Sequence, residues 1–245
     1  MGQDTLHPLI AAADAGDAAA LERLLKEGAD VHARDGSGRT ALMAATQRND
    51  LAMAQRLVAA GSDVNARDVT LLSPYLCAGA NGFHALLKLM IANGADMQAV
   101  NRFGGTPLLP SSEKGFLRTV RVALKAGIPV NRANHLGWSG LLEAVILGDG
   151  GYLYGDIAEA LIEAGADPHL KDHDGKSALD HARAREQLRV LAVIEGAKPS
   201  DSAPARAIRA AKAHEKEERY REALGVVEAE LASAPINVDL LYYQR

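Results

Sequence analysis

Apolar residues recur at helical spacing in short runs: Leu21, Leu24 and Leu25; Leu51, Ala54, Leu57 and Val58; Leu86, Leu87, Leu89 and Met90. Residues three and four apart share one helix face, so each run predicts a short amphipathic helix. Each run closes on the same small-polar stop. The stops read Gly28-Ala29-Asp30, Gly61-Ser62-Asp63, Gly94-Ala95-Asp96, a worn Gly127-Ile128-Pro129, and Gly165-Ala166-Asp167. The first four glycines stand 33 residues apart and the last step is 38. A fixed period of this size means stacked copies of one unit, none of which buries its apolar face alone.

Each stop is followed by an extended stretch such as Val31-His32-Ala33-Arg34-Asp35 or Val64-Asn65-Ala66-Arg67-Asp68. A turn comes next, then a helix-opening tetrapeptide: Thr40-Ala41-Leu42-Met43, Ser73-Pro74-Tyr75-Leu76, Thr106-Pro107-Leu108-Leu109, Ser139-Gly140-Leu141-Leu142 and Ser177-Ala178-Leu179-Asp180. A hydroxyl at that place accepts from the free N–H groups of the first turn. Proline just after it sacrifices no helical bond. Glycine at the stop supplies the left-handed residue that ends a helix.

With period, tetrapeptide and Gly-Ala-Asp-Val-Asn-Ala-Arg-Asp stretch in register, the chain resembles the ankyrin-repeat family over residues 4–197. The resemblance implies an all-α solenoid of about six helix-turn-helix repeats joined by short β-hairpin turns. The repeats fall at 4–34, 35–67, 68–100, 101–133, 134–171 and 172–197. Paired helices are expected at Leu9–Ala15 with Ala18–Glu27, Thr40–Arg48 with Leu51–Ala60, and Ser73–Ala80 with Phe83–Asn93. The fourth repeat puts Pro110 four residues into its first helix, which predicts a short or kinked helix before Phe116–Ala126. The fifth carries an insertion, Asp149 to Asp156, read as a loop between its helices. The sixth is shortened, and Arg183, Arg185, Glu186 and Arg189 make it a soluble end cap.

Composition then shifts. Residues 198–204 are a Pro- and Ser-containing linker. Tyr220, Ala223, Leu224, Val227, Leu231 and Pro235 resemble the second-helix marks of the tetratricopeptide family, which implies a helical hairpin over 205–245.

Apolar content of 48 % suffices for a core, and with aromatics at only 4 % Ala and Leu must fill it. Formal charge is −4 and no basic stripe appears, which argues against nucleic acid. The single cysteine, Cys77, forms no internal disulfide and reads as packing. No apolar run reaches membrane-spanning length. The start, Met1-Gly2-Gln3-Asp4-Thr5, has no basic segment followed by an apolar one, so the expected compartment is the cytoplasm.

No catalytic constellation emerges. Ser111 and Ser112, even taken with His135, have no base placed to activate a hydroxyl. His169, Asp172, His173 and Asp174 fall on a hairpin whose turn separates them, so no metal is expected. Gly148-Asp149-Gly150-Gly151 lacks the Lys-Ser/Thr pair of a phosphate loop. No cofactor is expected.

The informative residues are apolar ones at positions that the resemblance places on hairpin tips and on the concave face. Val69, Leu71, Phe103, Leu136 and Trp138 stand where small polar residues would serve solubility, and Leu71 replaces the turn glycine. Ile146 and Leu147 extend the cluster, with Arg39 and Arg102 as directional contacts. Contiguous apolar surface with aromatics and arginine marks a partner site. The bland alternative is packing against neighbouring hairpins. Tyr152 and Tyr154 on the inserted segment either close over the groove or seal the longer connection; both readings stay open.

These observations point to a non-enzymatic interaction module that presents a concave surface to a protein or extended peptide. A bacterial inhibitor, immunity protein or adaptor fits that description. The alternative is a regulatory or targeting region whose enzyme lies outside this chain.

Overall fold

The computed structural model describes residues 7–196; the linker 198–204 and the segment 205–245 lie outside them. The described chain is a stack of six helix pairs. They are α1 (Pro8–Ala15) with α2 (Ala18–Lys26), α3 (Ala41–Gln47) with α4 (Leu51–Ala59), and α5 (Pro74–Ala80) with α6 (His84–Ala92). Then follow α7 (Leu108–Glu113) with α8 (Leu117–Lys125), α9 (Gly140–Leu147) with α10 (Tyr152–Glu163), and α11 (Ala178–Ala184) with α12 (Leu188–Ile194). The array is all-α: among the described residues the extended pairing is a single isolated bridge, Lys171 to Ser177.

The stop tripeptides end the second helices as expected. Gly28, Gly61, Gly94, Gly127 and Gly165 all take left-handed φ, between 81° and 95°. A Cβ there would meet nothing within 4 Å, so conformation rather than crowding demands glycine. The next N–H reaches back to a carbonyl of the last turn, as from Ala29 to Leu24 or Ser62 to Leu57, both at 3.0 Å. The hydroxyl caps form at Thr40, Ser73, Ser139 and Ser177.

One cap fails. The Thr106 hydroxyl is buried with no hydrogen-bond partner, and α7 begins later, capped by the Pro107 backbone position. Pro110 leaves α7 the shortest helix, six residues long. Ser111 Oγ donates to the Pro107 and Gly79 carbonyls at 2.7 and 3.0 Å, and Ser112 Oγ to Leu108 at 2.8 Å. Both serines are fully buried, so these bonds satisfy hydroxyls that packing encloses.

The core runs the length of the stack. Seven residues before each stop glycine sit Leu21, Ala54, Leu87, Val120 and Ala158, all fully buried. Against them pack Leu9, Leu42, Tyr75, Leu108 and Leu141 from the first helices. Each fully buried leucine contributes about 1.5–3 kcal/mol.

The insertion is a loop only over Asp149, Gly150 and Gly151; from Tyr152 it is helix. Its residues lengthen α10 to twelve residues where α2, α4, α6 and α8 have nine. Helix absorbs added chain well because it pairs its own backbone groups. The exposed end of α9 is closed by the sixth repeat: buried Gln187 donates to the carbonyls of Val145 and Gly148 at 2.9 and 3.3 Å.

Adjacent tips are stitched by backbone bonds, Val69 N–H to Ser37 (2.9 Å), His135 to Phe103 (3.0 Å) and His173 to Leu136 (3.3 Å). Two asparagines add clips below the tips. Asn65 donates to Gly94 and accepts from the Asp96 N–H, both at 2.9 Å; Asn131 does the same with Gly165 and Asp167. Between the third and fourth repeats neither device is present among the described residues. That joint is held instead by side-chain bonds, Ser111 to Gly79, Lys114 Nζ to the Ala80 carbonyl and Arg132 to Gln98 at 3.1 Å, and by close helix packing: a Cβ on Gly79 would lie 2.3 Å from Pro107 Cβ, so only glycine lets α5 and α7 approach so closely.

Candidate functional site

Each tip is a tight reversal closed by backbone bonds and by one side chain. In the fourth copy the Asn101 N–H donates to Gly105 at 2.9 Å, and Asn101 Oδ1 accepts from the N–H groups of Phe103 and Gly105. Asn134 does the same for Leu136 and Trp138. These bonds fix the loop backbone and turn the intervening side chains outward. Val69 is 70 % exposed, Phe103 59 % and Leu136 54 %.

The third tip stores strain. Gly38, Gly104, Gly137 and Gly175 take positive φ at one position of the turn, and Leu71 occupies it at φ +65°. A leucine there is disfavoured by about 1–2 kcal/mol. Leu71→Gly is therefore expected to raise stability by about 1 kcal/mol, read from the urea midpoint. A loss of stability would show that the Leu71 side chain packs instead of being displayed.

Between the third, fourth and fifth tips and the first helices lies a groove of about 650 Å³. Arg102, Phe103, Leu136 and Trp138 line it, with Leu147 at the far end of α9. The Arg102 guanidinium stacks over the Phe103 ring at 4.8 Å. Trp138 is half-buried and packs on the core as well as lining the groove, so it is a fixed wall.

The remaining sequence candidates are placed elsewhere. Val69 and Leu71 stand on the neighbouring tip, which lends Thr70 and Leu72 to the groove. Ile146 is half-buried against the core. Arg39 is held by its own repeats: Nε donates to Asp35 at 2.8 Å, and the guanidinium also reaches Asp14 and Gln47 at 2.9 Å. Tyr152 and Tyr154 occupy the first turn of α10 and not a loop. The Tyr154 hydroxyl donates to the Glu113 carbonyl at 2.8 Å, which seals the connection between repeats. Tyr152 carries the Arg189 guanidinium over its ring at 5.2 Å.

Glu143 is the groove residue that sequence reasoning missed. It lies on α9, 7 % exposed, with Oε1 accepting from Asn134 Nδ2 at 2.9 Å. Burial pushes its carboxyl up, the nearby Glu113 charge pushes it further, and the Asn134 bond opposes them; the result is about 7. Other copies carry Ala44, Cys77, Pro110 and His181 at this position. In the sixth, His181 Nε2 lies 2.8 Å from Asp172 Oδ2. Burial alone would raise the Asp172 carboxyl, but the bonds from His181 and from the backbone of Lys176 and Asp174 hold it below its ordinary value. The fifth copy inverts that pair, with the acid on the helix and a neutral amide on the tip.

Among the described residues no three His, Cys, Asp or Glu side chains converge on a metal position, and no helix is long and apolar enough to cross a membrane.

Stacked helix pairs, left-handed stop glycines and displayed tips define an ankyrin array, and the family profile for ankyrin repeats (three copies) matches residues 2–68 and 75–172. The chain belongs to the ankyrin-repeat family. It is 46 % identical to the putative ankyrin repeat protein YahD of Escherichia coli K12 over 59 residues, which span 23 % of this chain and 29 % of YahD. An ankyrin repeat domain from Acinetobacter baumannii AYE is 43 % identical with TM-score 0.76, over 78 % of this chain and 97 % of that one. The ankyrin repeat protein EF0377 is 32 % identical with TM-score 0.75, over 80 % and 98 %. The fold is shared at 24 % identity and TM-score 0.67 with a chain in the complex of the Bdellovibrio bacteriovorus predatory endopeptidase Bd0816 and immunity protein Bd3460, over 79 % and 99 %.

Proposed function

We propose that this protein is a non-enzymatic interaction module that holds a protein or extended peptide in the groove between its third, fourth and fifth tips. The observation that carries this reading is the alignment of exposed Phe103 and Leu136 with the fixed wall of Trp138 along one groove. Large aromatics on a rigid frame bind with little ordering cost, so affinity comes from preorganisation. The buried hydroxyls of Ser111 and Ser112, both donated to backbone carbonyls, argue against a nucleophile in the groove. Bacterial relatives at 43 % and 46 % identity support a bacterial setting, in which an inhibitor, immunity or adaptor role fits a preformed binding face.

The test compares wild type with Phe103→Ala/Trp138→Ala in affinity capture from source lysate. Retained partners are identified by mass spectrometry, and helical content and melting are measured alongside. A partner weakened by about tenfold or more in the variant, with fold unchanged, is the expected result. Capture that is indifferent to both substitutions would move the binding face off this groove.

A further inference from the structure

The groove has an acidic floor beneath its apolar walls. Glu143 is 7 % exposed, and its Oε2 is buried with no hydrogen-bond partner. Glu113, at the end of α7, lines the same groove. A buried carboxylate oxygen without a donor is an incomplete pair. The sixth repeat shows the completed form, where the His181 ring lies against the Asp172 carboxylate at 2.8 Å. In the fifth repeat Asn134 fills only one oxygen of Glu143. Two cations border the groove, and both are engaged elsewhere: Arg102 stacks on Phe103 at 4.8 Å, and Lys114 Nζ donates to the Ala80 carbonyl at 2.8 Å.

We infer that the groove takes a cationic side chain of the partner, an arginine or lysine, whose head group donates to Glu143 Oε2 and lies beside Glu113, with Phe103 and Trp138 flanking its stem. Two carboxyl groups in one groove complement a positive charge, and aromatic faces attract it further. Arginine fits better than lysine, because its planar guanidinium can stack on a ring while it donates in plane. This inference rests on the reading of the groove as the partner site and names the chemistry that the site selects.

The probe is a random-sequence peptide library displayed on phage and selected on the full chain. Enriched peptides are remade with each Arg or Lys replaced by its neutral analogue, citrulline or glutamine. They are titrated against wild type, Glu143→Gln, Glu113→Gln and Phe103→Ala/Trp138→Ala. The expected result is one basic position whose neutral analogue binds wild type about tenfold or more weaker. Against Glu143→Gln the two peptides should bind alike, and Glu113→Gln should narrow their difference. Peptides that lose binding to the aromatic double variant yet need no basic residue would overturn the cationic site and leave the groove intact. Peptides indifferent to the aromatic variant, or no enrichment at all, would overturn the groove reading and this inference together. Far-UV circular dichroism on each variant separates lost binding from lost fold.

Discussion

Leu108→Ala lowers the stability of the array by about 2–5 kcal/mol. Leu108 is fully buried on α7, the shortest helix, whose first turn has no side-chain cap. Removing its branched carbons leaves a cavity facing Gly140 of the next repeat, where a Cβ would lie 3.5 Å from Leu108 Cγ. Whole-protein stability is about 5–15 kcal/mol, so this is a large share of the total. In a linear array the damage also lands between neighbours. The joint on the third-repeat side of α7 has no backbone bond between its tips, and its crossing bonds, Ser111 to Gly79, Lys114 to Ala80 and Arg132 to Gln98, all come from side chains of the fourth repeat, so loosening that repeat should release the fourth to sixth repeats as a block. Trp138 is the single tryptophan and lies in that block. Its fluorescence should therefore change at lower urea than the helical signal, which reports every repeat. A shift below about 1 kcal/mol would contradict the packing, and coincident transitions would contradict the block release.

Glu143→Gln changes the pH dependence of stability. The carboxyl titrates near 7 in the folded protein against an ordinary value of 4.5, chiefly because it is buried and secondly because Glu113 is charged. Between those two values the unfolded chain has released its proton and the native chain has kept it. Native protein then binds more protons, so stability falls as pH rises through the window and levels off above it. Glutamine has no proton to lose. The gap between variant and wild type should widen in the variant's favour by on the order of 3 kcal/mol from about pH 4.5 to pH 8. Comparing the two proteins at each pH cancels every group that is not coupled to Glu143 as Glu113 is. Parallel profiles would mean that Glu143 is solvated in the folded state. If the gap opens, the groove holds an acid that destabilises the empty protein, which is expected of a residue kept for a partner and not for the fold.

The repeat frame was legible because it depends on local conformation. Glycine at the stops and a hydroxyl at the helix starts are demanded by one residue's φ or by one bond, and sequence displays such needs directly. Leu71 was legible for the same reason, standing where the other described tips have Gly38, Gly104, Gly137 and Gly175. Thr106 was misleading: its neighbours shift the helix start and leave the hydroxyl enclosed. The insertion read as a loop from its glycines, yet Tyr152 to Glu163 form one helix, because lengthening α10 satisfies its backbone. Arg39 looked available from its place on a tip, and only the fold brings Asp14 to it across 25 positions. Glu143 depended most on context. Its sequence signal was a lone acid in a column of Ala, Cys, Pro and His, but its meaning comes from burial and from an oxygen left unpaired.

The missing stitch between the third and fourth tips falls inside the groove. Thr70 and Leu72 stand on one side of that seam, and Phe103 and Trp138 on the other. The two sides are tied lower down, by Lys114 Nζ to the Ala80 carbonyl at 2.8 Å and by Arg132 to Gln98 at 3.1 Å, so the missing bond leaves a gap at the tips alone. If the groove is the partner site, a seated partner would bridge a pair of tips that share no backbone bond among the described residues.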